Sequence, residues 1–549
     1  MKKLLILACM ATLIGAFAAC TDGNNQAPVA DPTQAPVATT PADTNNNDAA
    51  TVEPTGMDLS EHLTVTITRR GAARSVTEEN LWEQYIRDRF NTTFTVNDIS
   101  NADFVSVMNM DFMAGINTDV STAHRPDFML NDWIEAGYLR GFTYEETHRY
   151  LPNFIDHFAD GRWPIVWASN VHSDGLIYRF PSARAQDLNM AWMYREDVLA
   201  DLGVTEFPDS TEDLFDLLVQ IRDHTGMFPI VEADPDSPIW AFAGWLQAFG
   251  MPELIARDIS MVDPRTGEFI PFAFVTDQYR DALRFLNRLF EEGLMWPEFA
   301  TGTVEQRNSL MAQGHRHVIW GWPEQIPTEL DPLSQTGAPN ASWEWSRNMI
   351  SADPANGHFF KMDPFFAADG TGINARSSDD VVRRFLYIND WMHTYEGLAF
   401  NSFGIEGVHY ERDAAGNHVF FDFMTTPVAT GERTLANYGF VHIGGHHPNR
   451  NEFYRPLMVE IEQAFVNRPG YYYHVAPIIQ FTAEESSRLV NYQTTLNVER
   501  DTYFSRFVMG HIDINDDAVW QGYVDTLNRL GLPTVKEIRT NAFNRTPQP

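Results

Sequence analysis

The sequence predicts an α/β fold, with helices layered on sheets, and three observations carry that prediction. Short apolar strands alternate with amphipathic helices at irregular intervals, and no segment repeats another. Hydrophobic residues make up 44% of the 549 and aromatics 13%, enough for large buried cores. A single core rarely grows past about 250–300 residues, so this chain should hold more than one.

In chain order, Leu63 to Ile67 alternates apolar and polar residues as a first strand, and a loop with Arg69, Arg70 and Gly71 follows. A helix is expected around Glu79 to Phe90 and another over Phe104 to Gly115. Pro126 to Leu130 reads as a short buried strand that opens into Asn131, Asp132 and Trp133, and Gly175 to Pro181 as a strand stopped by its proline. Ser210 with Glu212 and Asp213 caps a helix whose Leu214, Leu217, Leu218 and Ile221 share one face. Tyr279, Leu283, Leu286 and Phe290 recur at helical spacing up to a stop at Gly293. The stretch from Asn401 to Asn449, rich in Gly, His and aromatics, reads as loops with a hairpin.

Charge and cysteine usage remove whole classes of function. Lys plus Arg total 39 against 74 Asp plus Glu, a net charge of −35 that repels phosphate backbones and anionic headgroups, so no nucleic-acid partner is expected. Lysine occurs only at Lys2, Lys3, Lys361 and Lys536, none in a Gly-Lys-Ser/Thr phosphate loop. Cys9 and Cys20 are the whole cysteine set, which rules out disulfide scaffolds and thiol chemistry in the body. His442, His446 and His447 lack the carboxylate or cysteine a zinc site needs, and Asp513 to Asp517 lacks the glycine and terminal Glu of a calcium loop and reads as a helix cap; no metal and no cofactor are expected. No Gly-x-Ser-x-Gly elbow marks a nucleophile.

The N-terminus reads as an address. Met1-Lys2-Lys3 is basic, Leu4 to Phe17 is apolar, and Ala18-Ala19 precede Cys20. The pattern resembles a bacterial lipobox, which implies a signal peptide over residues 1–19. It also implies acyl chains such as palmitate on Cys20, anchoring the chain to the outer face of the cell membrane. Residues 20–57 are Asn, Gln, Ala, Pro, Thr and Asp with almost no large apolar side chain, the composition of a disordered tether.

Several passages then carry a family likeness. They are Arg125 to Leu130, Asp174 to Pro181, Trp192 to Leu199 with Leu202-Gly203, Phe290 to Leu294, Phe403 to Tyr410, and Phe507 to Gly510 with Trp520 and Ala542 to Arg545. In that order and spacing the chain resembles the extracellular solute-binding lipoproteins of ABC importers, family 1, and among them the longer members that include alginate-oligosaccharide binders. The resemblance implies a two-lobe periplasmic-binding-protein-like fold of type II, with crossing hinge strands and a ligand cleft between the lobes. It divides the chain into lobe one at 58–180, lobe two at 181–318, lobe one again at 319–395 and lobe two again at 396–549. It implies a monomer that binds an oligosaccharide without catalysis and delivers it to ABC permease subunits.

A sugar presents a C–H ring face and a hydroxyl edge, so its site needs flat aromatics and planar polar groups. The candidates for such contacts are Arg69, Arg70, Asn131, Asp132, Trp133, Arg184, Trp240 and Trp245, together with Trp320 and Trp322 at the expected second crossing, which sequence does not separate. Glu406 and His409 are expected to hold a loop against the lobe. A secreted glycoside-acting enzyme and a peptide- or signal-binding lipoprotein remain the alternatives.

Overall fold

Three strands in parallel begin the structure. The computed structural model describes residues 57–70, 78–99, 103–115, 118–123, 130, 133–157, 163–172, 174–183, 190–233, 238–251, 259–323, 325–361, 366–414, 416–424, 435–440, 447, 456–465, 468–474, 477 and 479–546. The signal peptide, the tether, most of the expected strand Pro126 to Leu130, and Asn131, Asp132 and Arg184 lie outside them. The strands are β1 (Leu63–Arg70), β2 (Thr92–Ile99), β3 (Val120–Ala123), β4 (Phe180–Ala183), β5 (Ala191–Arg195), β6 (Met261–Val262) and β7 (Phe269–Ile270). They continue with β8 (Val318–Gly321), β9 (Trp343–Trp345), β10 (His358–Lys361), β11 (Phe366–Ile373), β12 (Tyr410–Arg412), β13 (His418–Phe420) and β14 (Tyr471–His474).

The first sheet runs β2-β1-β3-β11-β4, with β1 parallel to both β2 and β3 and with β11 antiparallel to its neighbours. Local chemistry explains its helices. Asn80 caps Leu81–Phe90 by accepting from the Glu83 N–H, and Gly115 closes Phe104–Ala114 at φ 68°, where a side chain would be strained. The strand at Gly175 to Pro181 is displaced: Ile177 makes only isolated bridges, and β4 starts at Phe180 and contains Pro181. The proline is tolerated because the β4–β11 register is irregular between Phe366 and Gly370. The expected hairpin exists as β12–β13.

Two large cores divide the body, giving a two-lobe α/β protein. One gathers Val65, Ile67, Trp82, Phe154 and Phe180 with Ile373, Phe385, Trp391, Phe403 and Phe440. The other gathers Trp192, Leu214, Leu218, Trp245, Leu283 and Leu286 with Ile319, Trp345, Ile461, Phe504 and Tyr523. The helix Thr211–Thr225 buries the four residues expected of it, and Asp516 caps Asp517–Arg529 as its sequence suggested.

Two expected boundaries need correction. β8 and β9 both hydrogen-bond to β5, so residues 318–350 belong to the second core, and the return to the first sheet falls between Lys361 and Phe366 instead of at 319. The first core also continues past 395, because Phe400, Phe403, Tyr410, Met424 and Phe440 fill it. The chain therefore passes between cores after Ala183, before Phe366 and again between Phe440 and Pro456. Gln480 Nε2 adds a bond across, to the Val171 carbonyl at 3.3 Å.

The start of the body is pinned by one cation. Arg384 is buried and donates through Nη1 to the carbonyls of Phe90 (2.8 Å) and Asn91 and to Thr92 Oγ1, and through Nη2 to the carbonyls of Asp58 (2.8 Å) and Glu61. Arg384→Leu takes the guanidinium from all five acceptors, of which the Phe90 carbonyl keeps Thr92 Oγ1 and the Asn91 carbonyl keeps the Leu63 N–H as donors. It is expected to cost about 3 kcal/mol, read as a lower urea midpoint at unchanged slope. A loss below about 1 kcal/mol would show that water replaces the guanidinium at no cost.

Candidate functional site

Strand order alone locates one wall of a site. In the first sheet β1 has β2 on one side and β3 on the other, so the connections leaving the C-terminal ends of β1 and β3 diverge to opposite sides. Such a switch point leaves a crevice outside the carboxyl ends of the strands. Arg69 and Arg70 end β1 there. The antiparallel β3–β11 and β11–β4 pairings put the end of β4 and the start of β11 on that same edge, with Phe366 opposite Ala183. The passages to the other lobe thus leave from the edge that carries the crevice.

Register places the matching edge of the second sheet. β5 begins at Ala191, just after the first passage, and Ala191 pairs with Gly321 while Trp192 pairs with Trp320. The C-terminal end of β8, Trp320-Gly321, with Trp322 just after it, therefore lies at the edge of the second sheet where β5 begins. Trp320 is held on two sides. Its ring meets Trp192 at 5.6 Å and 63°, and it lies so close on Gly244 that a Cβ there would collide with it. Trp192 in turn takes Trp245 edge-on at 4.9 Å and 88°. Trp320 Nε1 is buried with no acceptor among the described residues, and Trp322 donates its backbone N–H to Gln325 Oε1 at 3.2 Å. Gln325 Nε2 donates to Glu329 at 3.0 Å, and Glu329 meets Arg307 at 3.5 Å.

The sequence candidates fall into three groups. Trp240, Trp320 and Trp322 are half-buried, and Trp320 and Trp322 share the edge of β8. Trp245 is 2% exposed and works as the support behind Trp192. Trp133 is 3% exposed, packed among Phe104, Phe112 and Leu139, and gives its indole N–H to Asn109 at 2.8 Å; neither of these last two rings has a face left for a ligand. Arg69 is spoken for by Asp98, at 2.7 and 2.9 Å. Arg70 is placed only by its backbone, at the end of β1. Glu406 pairs with Arg412, and His409 Nδ1 accepts from the Ile405 N–H, so both tie down their own loop.

Sequence reasoning missed Trp192, Gly244, Gln325 and Asp98. Gly244-Trp245 next to an apolar run is a usable signal for a close ring contact, whereas the Arg69–Asp98 pairing appears only once β1 and β2 are in register.

No protein-family model matches the chain, and no curated protein does. Solved structures do. The alginate-binding protein AlgQ2 without calcium ion superposes with a TM-score of 0.65 at 16% identity, over 89% of this chain and 99% of that one. An HMO-binding, ABC-transporter-associated solute-binding protein from Bifidobacterium longum infantis gives 0.67 at 15%, over 88% and 99%. The S. pneumoniae ABC-transporter substrate-binding protein FusA, in complex with kestose, gives 0.64 at 17%, over 88% and 99%. The chain thus has the two-lobe fold of these solved structures.

Proposed function

We propose that the chain is the substrate-binding component of an ABC importer, capturing an oligosaccharide between its lobes and passing it on to permease subunits. The observation that supports this is where the strands end: the switch point of the first sheet lies on the edge from which β4 leaves and β11 returns, and Trp320 lies on the edge of the second sheet where β5 begins. The solved neighbours named for binding alginate, HMO or kestose support the choice of sugar as ligand. In this reading lobe one comprises residues 58–183 and 366–440, and lobe two 190–361 and 456–546. Trp320, Trp322 and Trp240 supply the ring platforms, and lobe one supplies polar contacts from its loops, including those that carry Arg70, Asn131 and Asp132. Arg184 stands on the first passage. Binding energy drives lobe closure, and no bond is broken. None of the described helices is long and apolar enough to cross a membrane. The body would be a monomer held to the outer face of the membrane through lipid on Cys20 and the tether.

The test is calorimetric titration of the tether-free body with oligosaccharides, followed by chromatography of the recovered ligand. Binding with unchanged ligand is expected, together with a smaller radius of gyration in solution scattering. Trp320→Ala should weaken binding by at least about 30-fold, the effect of removing an aromatic anchor. Turnover of the ligand would replace the transporter reading with the glycoside-acting enzyme. Thermal stabilisation by peptides and by no sugar would point to a peptide- or signal-binding protein.

A further inference from the structure

We propose that Gly244 is a positioning residue of the oligosaccharide site, holding the Trp320 ring in place before a ligand arrives; the role rests on the function proposed above. A glycine inside a helix is a local loss, because alanine there gives up less backbone entropy. Gly244 is buried within the helix Ala243–Gln247, and no left-handed conformation calls for a glycine at that point. Space does. A Cβ on Gly244 would stand 2.0 Å from Trp320 Cγ, 2.3 Å from its Cβ and 2.5 Å from its Cδ1. The overlap is with the root of the side chain and not with its far end. Turning the indole about its first bond leaves Trp320 Cβ where it is, so relief requires the helix and the end of β8 to part, and the ring moves with them.

Trp320 is set from a second side as well. It pairs with Trp192 across β5 and β8, and the two rings meet at 5.6 Å. Trp245, the residue after Gly244, meets Trp192 at 4.9 Å. The helix thus turns successive residues on two paired tryptophans, one giving contact and the other giving room. Gly244, Trp245 and Trp192 are buried, whereas Trp320 is half-buried, so the parts that fix the ring are internal to lobe two and part of the ring is left to solvent. A ring already held loses little freedom when a sugar stacks on it, which is how pre-organisation raises affinity.

The experiment compares the parent protein, Gly244→Ala, Trp320→Gly and the double variant. Each is titrated with neutral tetrasaccharides (malto-, cello-, xylo-, manno- and fructo-series) and with mannuronate and galacturonate tetramers. Near-ultraviolet circular dichroism, which responds to the packing of indole rings, is recorded for each. Gly244→Ala is expected to weaken the best-bound tetramer by at least about tenfold and to alter the indole bands. That alteration is expected to vanish when residue 320 is glycine. Should Gly244→Ala fail to fold, the double variant, which restores the room, is expected to fold. Three results would overturn the role and leave oligosaccharide capture standing: affinity within about twofold of the parent, indole bands altered equally in the Trp320→Gly background, or a double variant that stays unfolded along with Gly244→Ala. A parent that binds none of these tetramers would overturn the proposed function, and this role with it.

Discussion

Trp192→Ala should be the most damaging single substitution at the candidate site, lowering stability by about 3–5 kcal/mol. Trp192 is 2% exposed on the central strand of the β8-β5-β9 sheet, with Trp245 edge-on to one part of its ring and Trp320 to another. Truncation removes the partner of both rings at once and leaves a cavity that β5 cannot close without breaking its pairs to β8 and β9. Calorimetry should show the melting temperature down by roughly 10 °C, at about 2–4 °C per kcal/mol for a lobe of this size. Trp192→Phe, which keeps an edge for each neighbour, should recover about half of the loss. If the alanine variant melts within about 3 °C of the parent, Trp192 is not the post on which the tryptophan cluster stands.

Acid should unfold the body between pH 6.5 and pH 4. Burial, the dominant cause in each case, pushes His317 and His393 down to about 3 and His409, His418 and His447 down to about 4, from an ordinary 6.5. Nearby cations add to it, Arg195 at His317 and Arg412 at His418 and His447, while Glu406 opposes at His418. The unfolded chain takes up these protons near pH 6.5 and the folded chain does not, so stability is complete above 6.5 and drains away as pH falls toward 4. A single histidine lowered by two units forfeits about 2.7 kcal/mol over that range. Two effects act the other way. Burial raises Asp390 to about 6, so its protonation favours the folded form, and fewer carboxylates are ionised on the surface as pH falls. Five histidines outweigh these, and far-UV circular dichroism should show a midpoint above pH 4. His418→Phe, placed against Phe403 where the imidazole already stacks at 4.1 Å, should move the midpoint to lower pH. A native spectrum at pH 3 would contradict the argument.

The helices were the most legible part of the chain. The face Leu214, Leu217, Leu218 and Ile221 and the caps at Ser210 and Asp516 are local features, fixed by side chains within one or two turns of the residue concerned. The passages between lobes were less legible. Val318-Ile319-Trp320 looks the same in sequence whether it leaves a lobe or completes a sheet, and only its pairing with β5 decides. The tryptophans divide for a similar reason. Trp133 and Trp320 both follow strand-like runs beside polar or glycine residues, yet Phe104 and Phe112 cover the first, and the second stands at a sheet edge. Burial of an aromatic ring depends on neighbours far along the chain, which composition and spacing do not reveal.

The side-by-side departure of the strands at Ala183 and Phe366 has a mechanical consequence. Two chain segments paired at their root do not slide past one another there, so motion between the lobes should be bending about that strip more than shear at it. Displacement then grows with distance from that strip. Groups beside it would travel least, and the far rims of the lobes would sweep the longest arc.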